Sequence, residues 1–575
     1  MTARRYALSM MVIVITALVI RLFYLYQIRT IPFFHVYLVD AETYNAWANS
    51  IAAGNWWGDE PFYQAPLYPY FLAVIKIVVG NAPWAPRVIQ AILGAFSCGL
   101  IASAGASFFS KRVGLLAGGL MALYPPAIFY DGLIQKASLG NFLLALLLAL
   151  LGWSWKQNRI FISITIGIVL GLLCITRENS LALMPLVIAW FSIRQRSEAS
   201  RRSPVLNAVA VLAGVSCILG LVGFRNWSVG HALTPTTFNY GPAFYIGNNP
   251  RANGRVVTLI PGRTTAVQER DDFRRLAEKA MGHPLTPQEI SAYWLKRSWE
   301  FIRMHPLEWL KLSGYKWLLV WNAYEIPDVE AVSIYAEWSS LLHTILPFFH
   351  FGILAPFAAV GLLFCLPRFR ELWLLYMMPI VMACSTALFF VLGRYRYPLV
   401  PVLVLFAAAA FGEKTRWKTL SFRRWAITIE IAVLVAVLTN LRINPERELN
   451  AIARGNLSMA FLRSDEPAVA TELQEQAVKE APSSAILHNN LGVLYSLQQR
   501  HQEALWQLQE AVRIEPELPD LEYRIALEFE LLGQNAAAIA SYRRAIEMNP
   551  NDSYARQAFE RLSVTSGRVK EDWAE

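Results

Sequence analysis

Long apolar runs separated by short polar breaks fill the first 440 residues, and the pattern changes abruptly after them. Runs of spanning length lie at about 6–28, 84–109, 113–130, 137–155, 160–176, 180–193, 204–224, 340–365, 371–392, 397–412 and 424–441. An α-helix rises about 1.5 Å per residue, so crossing about 30 Å of hydrocarbon takes roughly 20 apolar residues. The pattern therefore predicts about eleven transmembrane helices. Two further stretches, 66–80 and 306–322, are short and interrupted by Pro, Lys or His, and they are expected to lie along the membrane surface. The first run follows Arg4 and Arg5 and lacks a small-residue cleavage site, so it reads as a retained helix with a cytoplasmic start.

Charge tests this arrangement. Short loops that carry Lys and Arg collect on the cytoplasmic side of a membrane. Lys111–Arg112, Lys156–Arg159, Arg194 to Arg202, Arg368–Arg370 and Lys414 to Arg424 all fall on the side of the N-terminus when 66–80 and 306–322 do not cross. The same parity puts the loops 29–83 and 225–339, and everything after residue 441, on the exoplasmic side. It also brings Asp131, Arg177 and Arg394 to the membrane face that carries Asp40. Arg394 and Arg396, in GRYRYPLVP, stand on the side that the rule depletes of arginine, where a partner is expected to hold them. The loop 225–339 contains FNYGPAFYIGNNPRANGR, a composition of turns or of a substrate-facing lid.

After residue 450 the chain is charged, Ala-rich and helical in period. Pro482, Pro516 and Pro550 recur every 34 residues, and Ala470, Ala504 and Ala538 keep the same register, as do Ala477, Ala511 and Ala545. A helix-turn-helix solenoid has this period, and the segment resembles the tetratricopeptide repeat, in units at about 451–484, 485–518 and 519–552. The middle unit has Gly492 and Tyr495 at the small and aromatic positions, while the first has Ser458 in place of the glycine. Such repeats are expected to bind a protein partner, or to cap the membrane region.

Composition agrees with the apolar pattern and narrows the classes. The chain is 55% hydrophobic and 16% charged, too apolar for an ordinary soluble globule. Its net charge of +10 comes from short loops between apolar runs, so it predicts membrane orientation and no nucleic-acid partner. The five cysteines fall inside apolar runs without metal or disulfide spacing, and are expected to be small core residues. There is no DxD, and the histidines lack ligand spacing, so a metal-independent protein without a cofactor is expected.

The stretch DAETYNAWANSIAAGNWWGDEPFYQAPLYP, from Asp40 to Pro69, is where chemistry concentrates. Asp40 precedes a helical pattern with Tyr44, Trp47, Ala48 and Ile51 on one face, which makes it either an N-cap or a functional acid. With the hydrophobic first helix, the D-x-x-x-Y loop, the P-L-Y entry to an apolar helix and the late R-Y-x-x-P motif, residues 1–440 resemble the GT-C-fold glycosyltransferases. The branch is that of protein O-mannosyltransferases and lipid A aminoarabinose transferases, glycosyltransferase family 39.

The resemblance implies an all-α polytopic membrane domain, residues 1–441, followed by a repeat domain at 450–565. It implies transfer of a sugar from a polyprenyl-phosphate carrier to a glycan, lipid or protein acceptor on the exoplasmic face, with inversion. Asp40 falls on the family's first-loop acid, which acts as general base. Arg394 and Arg396 match its late arginine motif, which holds the carrier phosphate, as a planar guanidinium suits. Many relatives have two adjacent acids in the first loop, whereas Ala41 here separates Asp40 from Glu42. Gln64 stands where many have a phosphate-binding lysine, and Lys136 is a candidate to supply that charge. Tyr44, Asp131, Arg177 and Tyr395 complete the substrate-binding candidates, with Glu42 and Gln64. The expected location is a bacterial inner membrane, with membrane lipids around the spans and the repeats in the periplasm. Two other classes remain open: a non-catalytic membrane scaffold whose repeats recruit envelope proteins, and a lipid-linked glycan polymerase or transporter. Arg21 is the main charge within a span, and a transport path needs more than that.

Overall fold

The computed structural model describes residues 1–157, 159–193, 204–263, 265–412, 421–518, 520–550 and 552–565, and among them there is helix and no strand. The chain divides into two compact units, Met1–Val257 with Arg270–Asn444, and Thr258–Glu269 with Pro445–Glu575. The basic loop at 194–202 and most of that at 414–424 lie outside the described residues.

In the first unit the helices are α1 (Ala3–Ile28), α2 (Asp40–Ala52), α3 (Leu67–Val79), α4 (Trp84–Phe108), α5 (Lys111–Leu123), α6 (Pro125–Gly132), α7 (Ala137–Lys156), α8 (Ile160–Cys174), α9 (Leu183–Ile193), α10 (Pro204–Gly230) and α11 (Tyr240–Gly247). They continue, past α12 (Ala266–Met281), which begins in the other unit's segment, with α13 (Pro287–Met304), α14 (Pro306–Trp321), α15 (Val332–Trp338), α16 (Ser340–Ile345), α17 (Phe351–Cys365), α18 (Phe369–Leu388), α19 (Gly393–Arg396), α20 (Val400–Gly412) and α21 (Phe422–Thr439). Around α4 pack α1, α5 and α7, while α8 lies on α10, and α20 lies on α5 and α17.

Among the described residues, six helices are long and apolar enough to cross a membrane, or seven if the bent pair α5–α6 is one span. That pair bends by 55°. Pro125 is the cause, since it disfavours helical ψ at the preceding residue, and Tyr124 accordingly has ψ 111°. The other predicted runs form helices below that threshold: α8 and α9 are short, and α21 carries Arg423, Arg424 and Glu430. The stretches 66–80 and 306–322 form α3 and α14, of 13 and 16 residues. Within the turn-rich loop, Tyr240–Gly247 is helical. Cys98, Cys174 and Cys365 are buried as expected, but Cys217 and Cys384 lie on the outer surface of their helices.

Small residues let the core helices approach. A Cβ on Gly94 would meet an Asp131 carboxylate oxygen at 1.9 Å, so only glycine leaves room for the buried pair described below.

The second unit is a stack of helix pairs: α22 (Glu446–Arg463) with α23 (Pro467–Glu480), α24 (Ala485–Leu497) with α25 (His501–Ile514), α26 (Leu521–Leu531) with α27 (Asn535–Met548), then α28 (Ser553–Thr565). Ala470, Ala504 and Ala538 are fully buried where paired helices touch. The turn inside each pair places one residue at positive φ, Asp465 (62°), Gln499 (62°) and Gly533 (74°), and these three recur at the repeat spacing. Where the first unit has Ser458 instead of glycine, its hydroxyl donates to the Ala470 carbonyl at 2.6 Å, which satisfies a polar group buried in the helix contact.

Candidate active site

Asp40 is the first residue of α2. It does not cap the helix: the N-cap is Val39, no side chain bonds the free N–H groups there, and the Asp40 carboxylate points elsewhere. Val39 has φ 52°, a strained conformation for a β-branched residue, and it sits at the point where the chain turns Asp40 inward. The opposing element is the break between α18 and α20. There the chain leaves helix at Leu388 and resumes it at Gly393, which presents Arg394 and Arg396 from a single short turn.

The two elements meet in an ion pair. Arg394 Nη1 lies 2.8 Å from Asp40 Oδ2 and 3.0 Å from Asp328 Oδ2, so one nitrogen is shared by two carboxylates. Gln64 Nε2 donates to the other Asp40 oxygen at 3.0 Å. The Arg394 guanidinium carbon also lies 5.1 Å from the Tyr395 ring centroid. Burial alone would raise the Asp40 pKa, but the charge and hydrogen bond of Arg394, helped by Lys136 and Gln64, outweigh it and hold the carboxyl below its ordinary value. For Asp328 burial wins despite Arg394, and the charge on Asp40 adds to it, so its pKa is raised. The two acids on one arginine are thus biased toward opposite protonation states.

Lys136 stands at the N-cap position of α7 without capping it; its ammonium lies 3.7 Å from Glu178 Oε2, while Thr237 donates to the other Glu178 oxygen at 3.3 Å. Arg177, just after α8, is 3% exposed, and none of its three guanidinium nitrogens has a hydrogen-bond partner in the protein. Its stem packs over Gly140 of α7. Burial first, and then the charge of Arg394, push its pKa down to about 10, with Tyr395, Tyr130 and Tyr44 also within electrostatic reach. Three more buried atoms of this neighbourhood lack partners: the Tyr44 hydroxyl, Gln64 Oε1 and Arg394 Nε. Buried polar atoms are nearly always paired, so three such residues around one ion pair, with a further nitrogen on Arg394 itself, mark a place shaped for a ligand with both anionic and hydrogen-bonding groups.

Some predicted residues are engaged differently. Arg396 is ion-paired with Glu325, donates to the Asn322 carbonyl and stacks on Phe351 with its guanidinium carbon 4.3 Å from the ring centroid. A carboxylate, a backbone carbonyl and a ring therefore occupy it. Asp131 is 1% exposed; it accepts from Arg21 Nε at 2.7 Å and from the Ser138 hydroxyl at 2.6 Å. Its carboxylate is committed to the helix core, away from Asp40. Glu42, in the first turn of α2, is exposed. Glu325, Asp328 and Glu330 of the loop segment EIPDVE were not among the predicted residues, yet with Gln135 and Tyr130 they line a narrow cleft beside Arg394. Among the described residues, no three His, Cys, Asp or Glu side chains form a group able to hold a metal ion.

Residues 59–220 match the family model of the dolichyl-phosphate-mannose-protein mannosyltransferases, and residues 523–552 match that of the tetratricopeptide repeat. Both agree with the resemblances read from the sequence. Gln64, Asp131, Lys136 and Arg177 lie within the first match, Asp40 and Arg394 outside it. No curated protein matches the chain. Among solved structures, the apo oligosaccharyltransferase of Archaeoglobus fulgidus is similar at 15% identity over 78% of this chain, with a TM-score of 0.41. The chain spans 56% of that protein's length. ArnT of Cupriavidus metallidurans bound to undecaprenyl phosphate is similar at 14% identity over 94% of this chain and 80% of that one, with a TM-score of 0.40.

Proposed function

We propose that the protein is a membrane glycosyltransferase that moves a sugar from a polyprenyl-phosphate carrier to an acceptor on the exoplasmic face, with inversion at the anomeric carbon. The observation that carries this reading is Arg177: a guanidinium buried at 3% exposure, without partners, beside the Asp40–Arg394 pair. A buried, uncompensated cation is costly unless an anion completes it. A phosphodiester supplies that anion, and its oxygens suit the planar guanidinium fork.

In the reaction Asp40, held ionised by Arg394, accepts the proton of the acceptor hydroxyl as its oxygen bonds to the anomeric carbon. The bond from that carbon to the phosphate oxygen breaks, and its electron pair stays on the carrier, which gains one negative charge. Arg177, Arg394 and Lys136 are positioned around that charge as it develops, where fixed cations in a dry site stabilise it best. Arg396, bound to Glu325, serves to hold the turn that presents Arg394 rather than the phosphate itself. The match over residues 59–220 supports the chemical class, and the apolar helices support the membrane setting. A periplasm-facing repeat unit that binds a protein partner fits the same reading.

Mass spectrometry of lipid-linked sugars and envelope glycans, with and without the protein, tests it. A carrier-linked sugar should accumulate in cells that lack the protein, and the matching glycan should disappear. Asp40→Asn should insert and fold but fail to restore transfer; full restoration would exclude Asp40 as the base.

A further inference from the structure

Arg394 is useful only if the turn that carries it is held still, and that turn interrupts two helices. Beyond its local turn bonds, the backbone of the break is tied at four points to the loop 225–339. Val391 N–H donates to the Gly254 carbonyl at 2.9 Å, and Gly393 N–H donates to the Ile326 carbonyl at 2.9 Å. On the acceptor side, the Leu388 carbonyl receives Asn248 Nδ2 at 2.9 Å, and the Phe389 carbonyl receives Lys316 Nζ at 2.9 Å.

Lys316, on the inner face of α14, is fully buried. Its ammonium has three N–H bonds and meets three acceptors: the Gly247 carbonyl at 3.0 Å, Asn248 Oδ1 at 3.1 Å and the Phe389 carbonyl at 2.9 Å. Two of these are carbonyls at the C-terminal ends of α11 and α18, where helix dipoles place partial negative charge. Trp309 Nε1 reinforces the same Asn248 oxygen at 3.0 Å. The stem of Lys316 lies against Gly254, whose φ of 84° and close neighbours exclude a side chain. Burial pushes the Lys316 pKa down to about 8, which leaves the group charged at neutral pH.

We propose that Lys316 is a positioning residue for transfer: by tying the ends of α11 and α18 together, it fixes the break that aims Arg394 at Asp40. With its three hydrogen bonds going to Gly247, Asn248 and Phe389 and none to the ion pair, Lys316 acts through the backbone of residues 388–393. The inference rests on the reading of Arg394 as part of the transfer site.

Hydrogen exchange of the full-length protein in lipid nanodiscs, read at the amides of Val391 and Gly393, together with the affinity for farnesyl phosphate, tests it. Lys316→Met should speed exchange at both amides about 10-fold or more, the scale of losing charge-assisted bonds, and weaken farnesyl phosphate by a similar factor. Lys316→Arg should keep both near wild type. Trp309→Phe, a milder change, should speed the same two amides by less, and it decides the question if Lys316→Met does not fold. Unchanged exchange at 391 and 393 would overturn the proposal, as would faster exchange with undiminished affinity. If the wild type itself fails to bind farnesyl phosphate, the transferase reading falls, while the exchange rates still decide whether Lys316 holds the break.

Discussion

Arg177→Met should make the ligand-free protein more stable and the ligand-bound protein less so. Arg177 is buried with no partner in the protein, and its pKa of about 10 stands roughly 2.5 below the ordinary 12.5. At about 1.36 kcal/mol per unit this is on the order of 3 kcal/mol held against folding at neutral pH, and methionine fills the same channel over Gly140 without the charge. A stability gain of that size raises the melting temperature by roughly 3 °C, taking about 1 °C per kcal/mol for a unit larger than those that shift 2–4 °C. With farnesyl phosphate present the order should reverse. Two charge-assisted hydrogen bonds at about 1.5–3 kcal/mol each are lost, so affinity should fall on the order of 100-fold or more. Intrinsic-fluorescence melting in detergent, at one scan rate with and without farnesyl phosphate, reads both effects. Arg177→Met melting below wild type without the lipid would refute the uncompensated charge, and equal lipid stabilisation of the two proteins would refute the phosphate site.

Other expectations follow from the same charges. Asp131→Asn alone should destabilise strongly, by about 3–5 kcal/mol, because it leaves Arg21 buried and unpaired, whereas Arg21→Met with Asp131→Asn should recover most of the loss in chemical denaturation. Glu330 is raised to about 7, first by burial, against the opposing Tyr335 hydrogen bond and Arg87 charge. Between its ordinary value near 4.5 and about 7 the folded state keeps a proton that the unfolded state releases. Stability should therefore fall as pH rises through that window, and Glu330→Gln should flatten the fall in melting temperature. Sugar transfer should survive EDTA in a purified assay; loss of activity restored by manganese or magnesium would overturn metal independence.

What the sequence made legible followed from charges that membranes penalise. Parity of the basic loops brings Asp40, Asp131, Arg177 and Arg394 to one face; the structure joins Asp40 to Arg394 directly and sets Arg177 within electrostatic reach, while Asp131 pairs with Arg21 instead. The repeats were equally open to reading, because a 34-residue period of alanines and prolines reports helix contacts that each unit must remake. What escaped was pairing. Arg21 is buried in an apolar run and therefore requires a partner, and Asp131, 110 residues away, is the acid that meets it; neither residue reveals the other by local pattern. The same holds for Arg396, whose partner Glu325 lies in a long loop rich elsewhere in glycine and asparagine. Three acids within the six residues of EIPDVE, in a chain only 16% charged, are the signal there. Lys316 could not be anticipated, since nothing local reveals that two distant helix ends converge on it.

The segment Thr258–Glu269 groups with the repeats although it lies in the middle of the membrane-domain sequence, and a Cβ on its Gly262 would come to 3.4 Å from Leu518. In connectivity the repeat unit is therefore an insertion completed by a tail, entered once from the loop after Gly254 and again after Asn444. Deleting residues 445–575 would strip a dozen residues of their packing partners four residues downstream of the Gly254 carbonyl that anchors Val391. A truncated protein of this kind would differ from the native one in that loop as well as in lacking its repeats, so any activity it lost could not be assigned to the missing repeats alone.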